Sequence, residues 1–144
     1  MDITDYDQVS ALWARIRGFG IRSIDDSREG VTRFLKRNPC TSVVALDGDR
    51  IVGSILCGHD GRQACFYHVC VEEAYRKQGI GRRMAQMCAD TLRADHINRV
   101  YLIAFKKNEA GNAFWHKIGW EKRDDRNYYE LFLNDANQTV FNQD

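Results

Sequence analysis

The chain has 144 residues, 44% of them hydrophobic and 28% charged, and a formal net charge of +1 at pH 7. That length and balance suit one compact unit that buries most of its apolar surface, so a single domain over residues 1–144 is expected. Near-neutral charge argues against bulk attraction to nucleic acid, and no apolar run approaches the roughly 20 residues needed to cross a bilayer. The amino end lacks the basic, apolar and small-residue order of a secretory signal, and a cytoplasmic protein with no membrane partner is expected.

Asp5 followed by Val9, Leu12, Trp13 and Ile16 sets a cap-type residue before an apolar stripe at helical spacing. Gly18 and Gly20 end this helix. A second helix starts near Asp26 or Ser27, carries Val31, Phe34 and Leu35, and stops at Asn38-Pro39, because the residue before proline disfavours helical angles. The stretch GFGIRSIDDS between them reads as an irregular, mobile connection. "TSVVAL" and "IVGSILCG", joined by a turn with Asp-Gly, make a hairpin signal, and "HDGRQ" turns the chain into a third strand, "ACFYHVCV". Beyond it, Met84, Met87, Cys88, Thr91 and Leu92 mark a helix face. "RVYLIAF" reads as a buried strand, "NEAGNAFWHKIG" as a short helix closed by Gly119, and "NYYELFL" as a last strand. The order ααβββαβαβ belongs to one α/β or α+β domain.

Cys40, Cys57, Cys65, Cys70 and Cys88 form an odd set without CxxC spacing. Most lie in apolar runs, where a reduced thiol packs as a small hydrophobe, so neither a disulfide nor a zinc site is expected. His59 and His116 stand outside any metal-ligand spacing and read as surface or turn residues; no metal is expected.

The segment Arg76, Lys77, Gln78, Gly79, Ile80, Gly81, Arg82 and Arg83 follows a strand and opens a helix. The first turn of a helix has unpaired N–H groups and the positive end of the helix dipole, and glycines there remove Cβ atoms that would hold a phosphate away. A polyphosphate would fit. GxxxxGK[ST] is absent, and the GxGxxG fingerprint of dinucleotide folds is incomplete and follows antiparallel strands. Residues 76–81 instead resemble the [Q/R]xxGx[G/A] loop of the GNAT acyl-CoA N-acyltransferases. "HVCVEEAYR" resembles that family's fourth strand and its exit, and "KKNEAGNAFWHKIGWEK" resembles its segment after the fifth strand. The likeness runs from about residue 43 to residue 133, nearest to small bacterial members that include acetyltransferases of protein amino termini.

What the resemblance implies is a GNAT fold: a mixed, mostly antiparallel sheet flanked by helices, with strands four and five splayed around the pantetheine arm of acetyl-CoA. Val69, Cys70 and Val71 would meet that arm through backbone groups, and the diphosphate would meet Arg76, Lys77, Gln78, Gly79, Ile80, Gly81 and Arg82. Asn108 matches the family asparagine that contacts the arm and equally reads as a helix cap. The backbone N–H of Val69 is the expected oxyanion donor. The implied reaction moves an acetyl group from acetyl-CoA to a primary amine, of a peptide or a small molecule, by direct attack in a ternary complex.

Two positions depart from the family pattern. Trp115 stands where a tyrosine commonly acts as general acid, and Ile103 stands where some amino-terminal acetyltransferases carry a glutamate base. An alkyl ammonium must lose a proton before it attacks, and the thiolate must gain one. His68 or an ordered water is the expected base, although a histidine in an apolar strand is often only a hydrogen-bonded core residue. Tyr128 or Tyr67 is the expected acid. Tyr128 and Tyr129 point to opposite faces of an extended chain, so at most one reaches the thioester.

Asp25 and Asp26 read as caps of the second helix or as attractors of a cationic amine, capping being favoured. Trp13, Phe34, Phe66, Tyr101, Phe105 and Phe114 read as core. The rival function is a coenzyme A-binding module without catalysis, kept open by Trp115. Homodimers are common among such relatives, and nothing in the sequence fixes one.

Overall fold

A computed structural model describes residues 1–143. Helix α1 (Tyr6–Arg15) buries Val9, Leu12 and Trp13, the stripe that its spacing predicts. Asp5 makes no side-chain cap to it; Asp2 and Asp5 instead close a capping box around a 3-10 turn at Ile3–Asp5. Helix α2 (Arg28–Arg37) is capped by Ser27, whose hydroxyl accepts from the Gly30 N–H at 3.1 Å. Asp26 is therefore not the cap. Between the helices the chain forms a strand, β1 (Gly20–Arg22), where an irregular connection was expected.

The main sheet holds β2 (Val43–Asp47), β3 (Arg50–His59), β4 (Ala64–Val71) and β5 (Val100–Tyr101) in that order. The first two pairings are antiparallel, and β5 joins β4 in parallel. Gly48, with φ +58°, turns the chain from β2 into β3, as the Asp-Gly signal predicts. Strand β3 is an apolar run because both its faces are covered. On one side α1 and α2 pack Leu12, Trp13 and Val31 against Ile51 and Leu56. On the other, α3 (Ile80–Ala94) packs Met84, Cys88 and Leu92 against Ile55, Cys57 and Phe66. Met87, expected on that face, is exposed. The five cysteines are free, and all but Cys40 are buried.

Three expectations fail toward the carboxyl end. The fifth strand is only two residues long, and its continuation is not core: Ile103 and Phe105 are 58% and 52% exposed, and Tyr101 is exposed as well. Residues 127–133 form no strand, although their composition favours one. The last strand is β6 (Thr139–Phe141), which pairs antiparallel with β1 in a separate two-stranded sheet. Strand propensity selects an extended chain, but a strand needs a partner edge, and β1 offers that edge to Phe141, opposite Gly20. A Cβ on Gly20 would stand 2.8 Å from the Phe141 ring, so a larger residue there would have to move that ring aside. Helix α4 (Glu109–Lys117) lies between β5 and β6 in the chain, capped by Asn108.

A buried polar contact ties α1 to the sheet: Trp13 donates its indole N–H to the Ser54 hydroxyl at 2.9 Å. Both residues are fully buried, so Ser54→Ala leaves the indole donor without its acceptor. The expected cost is about 1–3 kcal/mol, read as a lower urea midpoint with an unchanged slope.

Candidate active site

Strand β4 carries a bulge where it faces β3. Ser54 pairs with Cys70 and Leu56 with Tyr67, so His68 and Val69 together oppose Ile55. His68 takes φ +47°, in the left-handed region, which re-aims its side chain out of plain alternation. On its other side β4 pairs with β5 only at Ala64 with Val100 and Cys65 with Tyr101. From Phe66 onward that side of β4 has no strand beside it. The strands therefore part, as the splay predicts, and the parting opens into a cleft of about 2290 Å³.

His68 sits against that cleft and is not an isolated core histidine. Its Nε2 lies 2.7 Å from Oδ1 of Asp26, with both side chains largely buried. The ring also packs on Trp13 and Phe19, with centroids at 4.5 and 5.4 Å. Asp26 comes from the turn between β1 and α2, and neither sequence spacing nor propensity points to this pairing.

Cys70 lies beyond the bulge with its thiol turned to Ser54 at 3.5 Å, and burial pushes that thiol up to about 11. Only its backbone is available to the cleft. Val69 and Val71 are half-buried and pack on the α3 side of the sheet. Arg76 donates from Nε to the Val71 carbonyl at 2.9 Å, which ties the bend back to the end of β4.

At the bend, Lys77 and Gly79 have φ +61° and +83°, and Gly79 is the residue before the first turn of α3. It has no side chain to cap that turn. The helical ladder begins with Arg83 N–H donating to the Gly79 carbonyl, so the N–H groups of Ile80, Gly81 and Arg82 precede it. A Cβ on Gly79 would meet nothing within 4 Å, whereas one on Gly81 would stand 3.1 Å from the Phe114 ring. The two glycines therefore differ: Gly79 serves the backbone turn, and Gly81 lets α4 pack on α3. Open space beside Gly79 agrees with room for a phosphate, and the Phe114 ring gives Gly81 a packing reason as well.

Tyr67 and Tyr128 both line the cleft. Tyr67 packs edge-on against Phe34 at 5.9 Å. Burial, then Cys65 and Tyr101, push its phenol well above the ordinary tyrosine value, although the residue as a whole is half-exposed. Tyr128 donates to Glu130 at 3.1 Å, which raises its phenol. The two-residue alternation survives without a paired strand: Tyr128, Glu130 and Phe132 line the cleft, while Tyr129, Leu131 and Leu133 are more than 80% exposed. Asn108 caps α4 by accepting from the Gly111 N–H at 3.0 Å and also lines the cleft.

Comparison with known families matches the acetyltransferase (GNAT) family over residues 8–120. The chain belongs to this family. As a GNAT acetyltransferase it is an enzyme that takes its acetyl group from acetyl-CoA. An acetyltransferase of Sodalis glossinidius is 28% identical over 120 residues, 83% of either chain. The N-alpha-acetyltransferase 30 of Schizosaccharomyces pombe is 26% identical over 106 residues, 70% of this chain and 69% of the relative. Among solved structures, the PaiA N-acetyltransferase of Thermoplasma acidophilum in complex with coenzyme A has a similar fold, with a TM-score of 0.74 and 13% identity. That likeness covers 96% of this chain and 92% of the other.

The two departures from the GNAT pattern have structural counterparts. Trp115 packs among Phe66, Phe114 and Trp120, with ring centroids at 6.3, 4.9 and 4.6 Å. It is a wall of the site with no acidic proton to offer. Ile103 also lines the cleft and brings no carboxylate. Among the described residues, His68 at the β4 bulge faces the Asp26 carboxylate across 2.7 Å.

Proposed function

We propose that this enzyme acetylates a primary amine by direct attack on acetyl-CoA held in the cleft between β4 and the chain after β5. The observation that carries this reading is the bulge, which sets His68 at the point where β4 and β5 part. The diphosphate lies at the start of α3, against the N–H groups of Ile80, Gly81 and Arg82, where the helix dipole adds roughly half a positive charge. Gly79 shapes that bend, and Lys77, Gln78 and Arg76 flank it. The pantetheine arm runs beside the strandless side of β4 and bonds the backbone of Val69, Cys70 and Val71. Asn108 keeps Oδ1 for its cap and offers its amide N–H to the arm.

His68 removes a proton from the acceptor ammonium, and the Val69 N–H takes up the oxyanion that forms as the amine adds to the thioester. Tyr128 protonates the departing thiolate, with Tyr67, which also lines the cleft, as the alternative acid. A phenol raised above its ordinary value stays protonated at neutral pH and can donate. The acceptor enters past β1 and the turn at Asp25, opposite the bend that holds the diphosphate. The likeness to an N-alpha-acetyltransferase supports a peptide amino terminus as the first acceptor to try.

The test is thiol release from acetyl-CoA across a panel of peptides with different amino termini, lysine peptides and small amines. Acceleration by at least one class is expected, and none at all would remove the reading. Coenzyme A binding in calorimetry without turnover on any amine would turn it toward a non-catalytic coenzyme A module. With an accepted amine, Tyr128→Phe is expected to lower kcat roughly 100-fold while the KM for acetyl-CoA stays unchanged. Equal loss in Tyr67→Phe alone would move the acid to Tyr67.

A further inference from the structure

The turn after β1 holds a buried carboxylate with one oxygen on the turn's own backbone and the other turned to the imidazole of His68. Asp26 does not cap α2, because Ser27 does. Yet it is fixed at three points: Oδ2 accepts from the Arg22 N–H at 2.7 Å, Oδ1 faces His68 Nε2 at 2.7 Å, and its carbonyl accepts from the Tyr6 hydroxyl at 2.8 Å. The turn itself is pinned from the carboxyl end, since Asn137 Oδ1 accepts from the N–H groups of Ile24 and Asp25 at 2.9 and 3.3 Å. The carboxylate would keep its position even without the imidazole.

We infer that Asp26 is a positioning residue for acetyl transfer, holding His68 as the Nε2–H tautomer so that Nδ1 is the nitrogen that accepts the proton of the amine. This rests on the reading of His68 as the base. An ionised carboxylate only accepts hydrogen bonds, so the proton between the two side chains belongs to Nε2. A neutral imidazole has one N–H, and its lone pair is then on Nδ1. The rings of Trp13 and Phe19 keep the imidazole from swinging away from the carboxylate. Other polar groups near the pair are Tyr6 from α1, Arg22 and Asp25 beside Asp26, Ser54 from β3, and Tyr67 and Cys70 from β4. The Arg22 guanidinium reaches Asp25 at 3.5 Å, whereas only its backbone N–H meets Asp26.

The acceptor ammonium gives one proton to Nδ1, and the freed lone pair forms the C–N bond to the thioester carbonyl carbon, giving the oxyanion at the Val69 N–H, whose collapse breaks the C–S bond. The thiolate takes a proton from the tyrosine phenol, and the second amine proton, lost as the amide forms, returns to the phenolate. The imidazolium then releases its proton to water. Asp26 stabilises that imidazolium without taking up the proton itself, and the turn that carries it also borders the entry of the acceptor.

The test joins a spectrum to kinetics. In the intact protein with nitrogen-15-labelled histidine, His68 is expected to show the Nε2–H pattern above its titration; the Nδ1–H pattern would overturn the inference, whatever the fate of any variant. Asp26→Asn is expected to lower kcat 10-fold to 100-fold at unchanged KM for acetyl-CoA. In a His68→Asn background Asp26→Asn should add less than twofold. Wild-type kcat in Asp26→Asn would sink the inference while leaving the base in place. If Asp26→Asn folds poorly, Asp26→Glu, which keeps the acceptor, should retain more kcat than Asp26→Asn; equal loss in both would also overturn it. Full turnover in His68→Asn with a normal Nε2–H spectrum in the parent would instead put the fault in the reading of the base, and the inference would fall with it.

Discussion

His68→Asn is expected to lower kcat by roughly 100-fold to 10,000-fold, the usual weight of a positioned acid or base. Asparagine is the informative replacement. The backbone at His68 is in the left-handed region, with φ +47°, and asparagine tolerates that region better than most side chains. It therefore keeps the bulge while removing a group that can take a proton. On the proposed reading coenzyme A meets backbone groups elsewhere in the cleft, so the KM for acetyl-CoA should stay within about threefold, against a far larger fall in kcat. The pH profile carries the sign. A base works in its neutral form, so the wild-type rate rises with pH along an acidic limb, and the variant should lose that limb together with its rate. Wild-type turnover at all pH values in His68→Asn would leave proton removal to water.

Gly79→Val is expected to weaken coenzyme A at least tenfold in calorimetry, and Gly81→Val to act first on stability. At Gly79 the backbone has φ +83°, and a β-branched residue held there costs about 1–2 kcal/mol. The chain can relieve that strain only by turning the bend, which re-aims the N–H groups of Ile80, Gly81 and Arg82. Should the bend hold instead, the new side chain stands in open space at the mouth of the helix, where a diphosphate would lie. A loss of 1.4 kcal/mol in binding is tenfold in Kd. At Gly81 the nearest obstacle to a Cβ is the Phe114 ring at 3.1 Å, so a valine pushes α4 away from α3 and should lower the melting temperature before affinity is considered. Both variants binding coenzyme A as tightly as the parent would remove the diphosphate from this bend.

The partner of a strand and the partner of a charge share one difficulty. "ACFYHVCV" and the glycine bend are legible because their signals are local: a run of apolar, β-branched and aromatic residues, then a backbone that only glycine enters easily. Residues 127–133 have equally good strand chemistry but remain unpaired, since the edge at β1 goes to Thr139, Val140 and Phe141. In the same way Asp26 next to Ser27 reads locally as a cap, and the choice between the two falls to Ser27. Trp115 lies at the opposite extreme. Its departure from the family pattern is plain in the sequence, but its packing against Phe66 and Trp120 is not.

By itself the sequence determines the order of the helices and central strands, the bend at Gly79, the membership of the family and hence the acetyl donor. These depend on spacings of a few residues, where backbone sterics and apolar periodicity act within one turn or one strand. Only the tertiary structure decides that β4 bulges at His68, that β5 stops after two residues, and that Asp26 meets an imidazole 42 positions away. Such contacts are set by which elements bury each other's faces, and burial is a property of the packed chain that no local stretch contains.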